Sequence, residues 1–170
     1  MLSDFFKTAL LLLIICSCKA QGPQKNTILH TVGELLPNET TEESSFQICG
    51  PQDRIVQYYA FDEKTYTGEK KAIVDHFHRF FKANPSHTDS GLLRIRFVVN
   101  CKGESGRFHL LGMDTNYQGK AFDPDLSSSL LEITKSLDGW KAMEVKGRSY
   151  DYYQYLIFKI EDGRLIEIMP

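Results

Sequence analysis

Between Gly91 and Val99, the residues Leu93, Ile95, Phe97 and Val99 alternate with Leu92, Arg94, Arg96 and Val98. No other stretch constrains the fold of this chain as much. Side chains of a strand point alternately to its two faces, so this segment has one wholly apolar face and one partly charged face. Such a strand is half-buried and belongs to an antiparallel sheet packed on a core from one side. Asn100-Cys101-Lys102-Gly103 supplies a turn, and Glu104–Met113 returns as the partner strand, thinned by Gly106 and Gly112.

The apolar face needs a cover, and two helical patterns provide it. Ile73, Phe77, Phe80 and Phe81 recur at i, i+4, i+7 and i+8, with Thr67 as cap, Glu69 in the first turn and Asn84-Pro85 as the stop. The second helix opens on Asp123 as N-cap with Pro124 at its first position and Asp125 complementing the dipole. Leu126, Leu130, Ile133 and Leu137 form its apolar stripe, and Gly139 is expected to close it. Ile55–Phe61, rich in β-branched and aromatic residues, reads as a strand. After Trp140 come Met143–Val145, a turn at Lys146-Gly147-Arg148, a long strand Ser149–Ile160, an Asp162-Gly163 hairpin turn and a short strand Arg164–Met169. The expected fold class is α+β: a small, mainly antiparallel sheet with two helices packed on one face.

The start of the chain reads as a separate processing unit. Lys7 precedes the apolar run Ala9–Ile15, which is shorter than the roughly 20 residues a bilayer-spanning helix needs and suits an export signal. Ile15-Cys16-Ser17-Cys18 has the pattern of a lipobox, at which Cys18 is lipidated and becomes the first residue; the alternative is ordinary cleavage after Ala20. The expected organisation is a lipoprotein signal peptide at 1–17, a polar tether at 18–45 and the folded domain at 46–170. A lipidated Cys18 puts the protein in the periplasm, and Lys19 in place of Asp fits sorting to the outer membrane. In an oxidising compartment, Cys49 and Cys101 are a candidate disulfide closing a loop of about 50 residues, worth about 4 kcal/mol in the chain-entropy model. Two buried free thiols are the other reading.

Several function classes find no support. The formal charge is −2 with no basic stripe, which argues against a nucleic-acid partner. His76 and His78 are spaced i, i+2 and point to different sides of a helix, so they do not form a metal pair. Ser127-Ser128-Ser129 lacks a nucleophile elbow, and Gly103-Glu104-Ser105-Gly106 lacks phosphate-loop spacing. The sequence therefore nominates no catalytic residue, metal or cofactor, and binding is the expected activity.

Gly91-Leu-Leu-Arg-Ile-Arg-Phe97-Val-Val, the Lys102-Gly103 turn, the helix Leu126–Leu137, Trp140-Lys141 and Gly147 together resemble the C-terminal domain of the TonB family, over roughly Tyr66 to Ile160. The chain departs from that family at Asn84-Pro85, where an aromatic precedes the proline, and at Ala142. It also shows no N-terminal membrane helix or Pro-rich rod; a lipid anchor takes their place. The resemblance implies a membrane-anchored module that receives an extended segment of an envelope protein, such as an outer-membrane transporter, by strand addition. The strand it nominates begins with Tyr150, Tyr152, Tyr153, Gln154 and Tyr155, and a tail strand pairing with it would occupy the same edge. A structural envelope lipoprotein that self-associates through its final strands, giving a homodimer, is the alternative.

Overall fold

The elements run in the order β1 (Val56–Gln57), α1 (Glu69–Phe80), β2 (Gly91–Val99), β3 (Ser105–Met113), α2 (Pro124–Lys135), β4 (Met143–Val145), β5 (Arg148–Tyr150), β6 (Tyr152–Glu161) and β7 (Arg164–Met169). The computed structural model describes residues 45–169, so the export signal, Cys18 and the tether up to residue 44 lie outside the described residues. The fold is α+β. β6 lies at the heart of a five-stranded sheet of order β1-β6-β2-β3, with β7 also paired to β6. The β2–β6 ladder runs antiparallel from Gly91↔Ile160 to Val99↔Tyr152, and only β1 is parallel to its neighbour.

The alternation in β2 sorts as the period dictates. Leu93, Ile95, Phe97 and Val99 enter one core with Ile73 and Phe77 of α1 and Leu126, Leu130 and Ile133 of α2. Both helices thus cover the same face, and Phe77 meets Phe158 of β6 with ring centroids 4.9 Å apart. Asp123 caps α2 as expected, its Oδ1 accepting from the N–H groups of Asp125 at 2.9 Å and Leu126 at 3.2 Å.

The other face is also covered. Phe46, Ile48 and Ile55 pack on Val98 and Tyr153, and the Phe46 ring lies over Gly106, where an added Cβ would stand 2.2 Å from it. The glycine that thins β3 therefore makes a seat for Phe46. Arg96 is buried beneath this segment with its guanidinium 4.4 Å from the centre of the Tyr153 ring, and desolvation lowers its pKa.

Four sequence expectations are corrected. Ile55–Phe61 is not one strand: Val56–Gln57 alone pairs with β6, between short 3₁₀ turns at Gln52–Arg54 and Tyr58–Ala60. Thr67 does not cap α1: Gly68, with φ 77°, takes the cap position, and the Thr67 N–H donates to the Gly139 carbonyl at 2.8 Å. Gly139 does not close α2, which ends at Lys135 with Ser136 as its cap; a Cβ at Gly139 would lie 2.7 Å from the Tyr66 ring. Finally, Ser149–Ile160 is two strands, β5 pairing with β4 in a separate hairpin and β6 starting after Asp151.

The break at Asp151 has a clear cause. Its buried carboxylate gathers the N–H groups of Cys49 at 2.9 Å, Gly50 at 2.8 Å and Cys101 at 3.0 Å. Cys49 and Cys101 are joined as a disulfide, which resolves the two readings of that pair. The carboxylate and the disulfide thus bind three separate stretches of chain at one point.

Candidate functional site

β6 has one long edge taken by β2 and a second edge that two short strands share. β1 pairs with Tyr152 and Tyr153, and β7 pairs from Ile157 to Glu161. Gln154, Tyr155 and Leu156 between them have no ladder partner on that side among the described residues. β1 leaves the edge because the chain turns over at Tyr58–Ala60. β7 reaches its place through the hairpin at Asp162 and Gly163, whose φ values of 48° and 70° suit the tight turn. The tail strand therefore occupies part of the edge and leaves a three-residue gap.

A cavity of about 290 Å³ opens beside this gap. Tyr58, Tyr59 and Phe61 form one wall, Ile73 of α1 and Ile168 of β7 contribute others, and Gln154 and Leu156 come from β6. Tyr66 and Trp140 also line it, held together by a bridge between their backbones and by Lys141 donating its N–H to the Thr65 carbonyl at 2.9 Å. Their rings meet edge to face with centroids 4.7 Å apart. Asp62, Glu63, Lys64, Glu69 and Lys70 place both signs of charge around it.

Two of the lining residues carry an unpartnered polar atom. Trp140 is 6% exposed and Gln154 is 3% exposed, yet the Trp140 indole Nε1 and the Gln154 amide Oε1 have no hydrogen-bond partner among the described residues. Gln154 uses its other amide atom, Nε2, to reach the carbonyl of Tyr155 at 3.4 Å. Buried polar groups are nearly always paired, so these two atoms, buried behind the lining of the cavity, are exceptions.

The tyrosines nominated from sequence do not form an exposed docking strip. Tyr152 is in the core, its hydroxyl donating to the Lys141 carbonyl at 3.0 Å, and burial pushes its pKa up. Tyr153 faces the other side under Ile55 and Arg96, and Tyr150 ends β5. Tyr155 shares a 3.4 Å hydrogen bond with Tyr58, which together with burial pushes the Tyr58 hydroxyl up to about 12. Strand alternation between two covered faces is the reason: each face of β6 has its own core. Only Gln154 of the nominated group lines the cavity. Tyr58, Tyr59, Phe61, Tyr66 and Trp140 were not nominated. Trp140, the single tryptophan, carried a signal of its own, but its pairing with Tyr66 spans over seventy positions and has no local signature.

Other clusters are accounted for by structure. The sulfurs of Cys49 and Cys101 beside Asp151 are bonded to each other. His87, Asp123 and Asp125 lie together, but the Asp123 carboxylate caps α2 and contacts His87 Nε2 at 3.3 Å. His76 donates to or accepts from Ser136 Oγ at 2.8 Å and lies against the Phe80 ring. No helix among the described residues is long and apolar enough to cross a membrane.

Fold and site together define the class: an α+β domain whose central strand keeps a short stretch of edge open beside an aromatic cavity. No protein-family model matches the chain, no curated protein matches its sequence, and no solved structure matches its fold.

Proposed function

We propose that this protein is a non-enzymatic binding module of the cell envelope, held at a membrane by a lipid on Cys18 and facing the periplasm. It receives an extended segment of an envelope protein, for which the TonB-like pattern of the sequence suggests an outer-membrane transporter. The observation that carries this reading is the interrupted edge of β6: among the described residues the backbone of Gln154–Leu156 has no ladder partner on that side, and it lies beside an aromatic cavity. An extended segment adding there gains backbone hydrogen bonds from the strand and side-chain contacts from the cavity.

A photo-reactive residue at Tyr59, which is 67% exposed on the cavity wall, tests this in envelope membranes. The expected product is a crosslink to an envelope protein that is missing when the same residue is placed at Asn116, in an exposed turn away from the cavity. Equal crosslinking from both positions, or none from Tyr59, overturns the proposal. Labelled palmitate incorporated into the wild-type chain and lost in Cys18→Ser tests the anchor.

A second reading has its own observation. The outer side of β3 from Ser105 to Leu111, and that of β7, carry no paired strand among the described residues. Open edges favour self-association. Sedimentation equilibrium separates the two: a mass that rises with concentration supports self-association, and a constant monomer mass removes it.

A further inference from the structure

We infer that the cavity beside the β6 gap is a binding site for a quaternary ammonium head, with the anionic end of the same zwitterion seated in an adjoining lysine-lined basin; phosphocholine is the ligand class. This goes beyond the strand addition proposed above and does not depend on it.

The lining carries the first half. Tyr58, Tyr59, Phe61, Tyr66 and Trp140 all contribute to the wall of the cavity. Two pairs of these rings stand close to perpendicular. Tyr58 meets Tyr59 at 76° with centroids 5.4 Å apart, and Tyr66 meets Trp140 at 72° with centroids 4.7 Å apart. Ring pairs that meet at corners are how an aromatic cage is walled, and the negative ring faces of such a cage attract a cation. Ile73, Leu156 and Ile168 complete the wall with hydrocarbon. A primary ammonium carries N–H donors that hydrocarbon leaves unsatisfied, and stripping its water is costly. A trimethylammonium head has no N–H and presents methyl groups to rings and aliphatic side chains alike. An apolar cavity of about 150 Å³ accepts a benzene ring, so about 290 Å³ holds a trimethylammonium head and the start of its chain.

Charge sets the orientation of the ligand. Three carboxylates, Asp62, Glu63 and Glu69, line the aromatic cavity against two lysines, Lys64 and Lys70, which makes its lining net negative. These five residues and Tyr66 also line a second basin of about 630 Å³, so the two spaces adjoin. The basin adds Lys71 and Lys141, and its lining is net positive. Lys71 is held by Asp75, which leaves Lys141 as the cation that distinguishes basin from cavity. A zwitterion therefore has one favourable placement, with its cation among the rings and its anion toward Lys141.

Three phosphate monoesters share the anion and differ at the other end: phosphocholine, phosphoethanolamine and 3,3-dimethylbutyl phosphate, the last a neutral isostere of the head. Titrated calorimetrically into the full chain, phosphocholine is expected to bind saturably and about tenfold tighter than either of the others, the effect of a desolvated cation on aromatic rings. The emission of Trp140, the single tryptophan, is expected to follow the same isotherm. Tyr59→Leu keeps an apolar wall and is expected to weaken phosphocholine about fivefold, while Tyr59→Phe keeps full affinity. Lys141→Gln is expected to weaken phosphocholine about threefold and to leave choline unchanged. Phosphatidylcholine vesicles, compared with free phosphocholine, distinguish a lipid surface from a soluble source, and binding to either supports the inference. Equal binding of the neutral isostere means a merely apolar cavity, and equal binding of phosphoethanolamine means plain charge attraction; each overturns it. Free phosphocholine that does not bind, or that binds without moving the Trp140 emission, also overturns it, as does unchanged affinity in both Tyr59→Leu and Lys141→Gln. The Tyr59 crosslink decides the strand addition by itself, so the two ideas stand or fall separately.

Discussion

Gln154 sits on the helix-covered face of β6 between Tyr152 and Leu156, both members of the apolar core, yet its amide oxygen has no donor among the described residues. A buried group of this kind destabilises the fold, and an apolar replacement of similar shape relieves that. Gln154→Leu is therefore expected to raise stability by about 1 kcal/mol, read as a higher urea midpoint. A lower midpoint would mean that the amide is satisfied within the folded protein. Tyr58 makes the second residue-scale prediction. Its hydroxyl is raised to about 12 by the hydrogen bond to Tyr155 and by burial, against an ordinary value of 10.0. The folded protein thus holds that proton more tightly than the unfolded chain does. Its contribution is complete below pH about 10 and disappears as pH rises toward 12. Denaturation midpoints should drop as pH rises from about 10 to about 12, and those of Tyr58→Phe should drop less steeply. Parallel profiles for the two proteins would remove Tyr58 as a contributor.

Among the elements, the segment from Phe46 to Gln57 depends most on contacts that no local pattern announces. It is held by the disulfide, by Asp151 and by the seat of Phe46 on Gly106. Replacing both Cys49 and Cys101 by Ser, which opens a link across a separation of 52 residues, is expected to cost about 4 kcal/mol in the chain-entropy model. Asp151→Ala strands three N–H donors around one buried site and is expected to cost about 3 kcal/mol. Equilibrium unfolding in urea checks both, and unchanged midpoints would count against the junction as described. Gly106→Ala pushes the Phe46 ring aside. Hydrogen exchange should then show lost protection in 46–55 while α1 and α2 keep theirs. The elements that were legible in the sequence, β2, β3 and α2, share a cause: each carries a strict period or a local cap within a dozen residues. Ile55–Phe61 reads as one strand because its β-branched and aromatic residues satisfy strand propensity, whereas the chain turns over at Tyr58–Ala60 and only Val56–Gln57 stays on the edge of β6.

At the scale of the whole molecule, the sheet is an assembly around β6, which contacts β1, β2 and β7. Both of its faces are covered, one by the two helices and one by the segment beginning at Phe46. That double cover explains why a run of tyrosines, read as a docking strip, is mostly interior. It also leaves the interrupted edge as the place on β6 where another chain can add. Under the proposed function the full chain is expected to sediment as a monomer at all concentrations and to form a defined complex only with a partner segment. Concentration-dependent dimerisation would favour the open edges of β3 and β7 instead.

The sequence by itself determined the α+β class, the apolar face of β2, the capped helix α2 and the hairpin between β6 and β7, because period, capping and turn chemistry act over a few neighbouring residues. Only the tertiary structure decided that Cys49 meets Cys101, that Tyr66 meets Trp140, and that β1 and β7 divide one edge and leave three residues between them. Those are encounters between segments far apart in the chain, set by which surfaces the packed sheet leaves available.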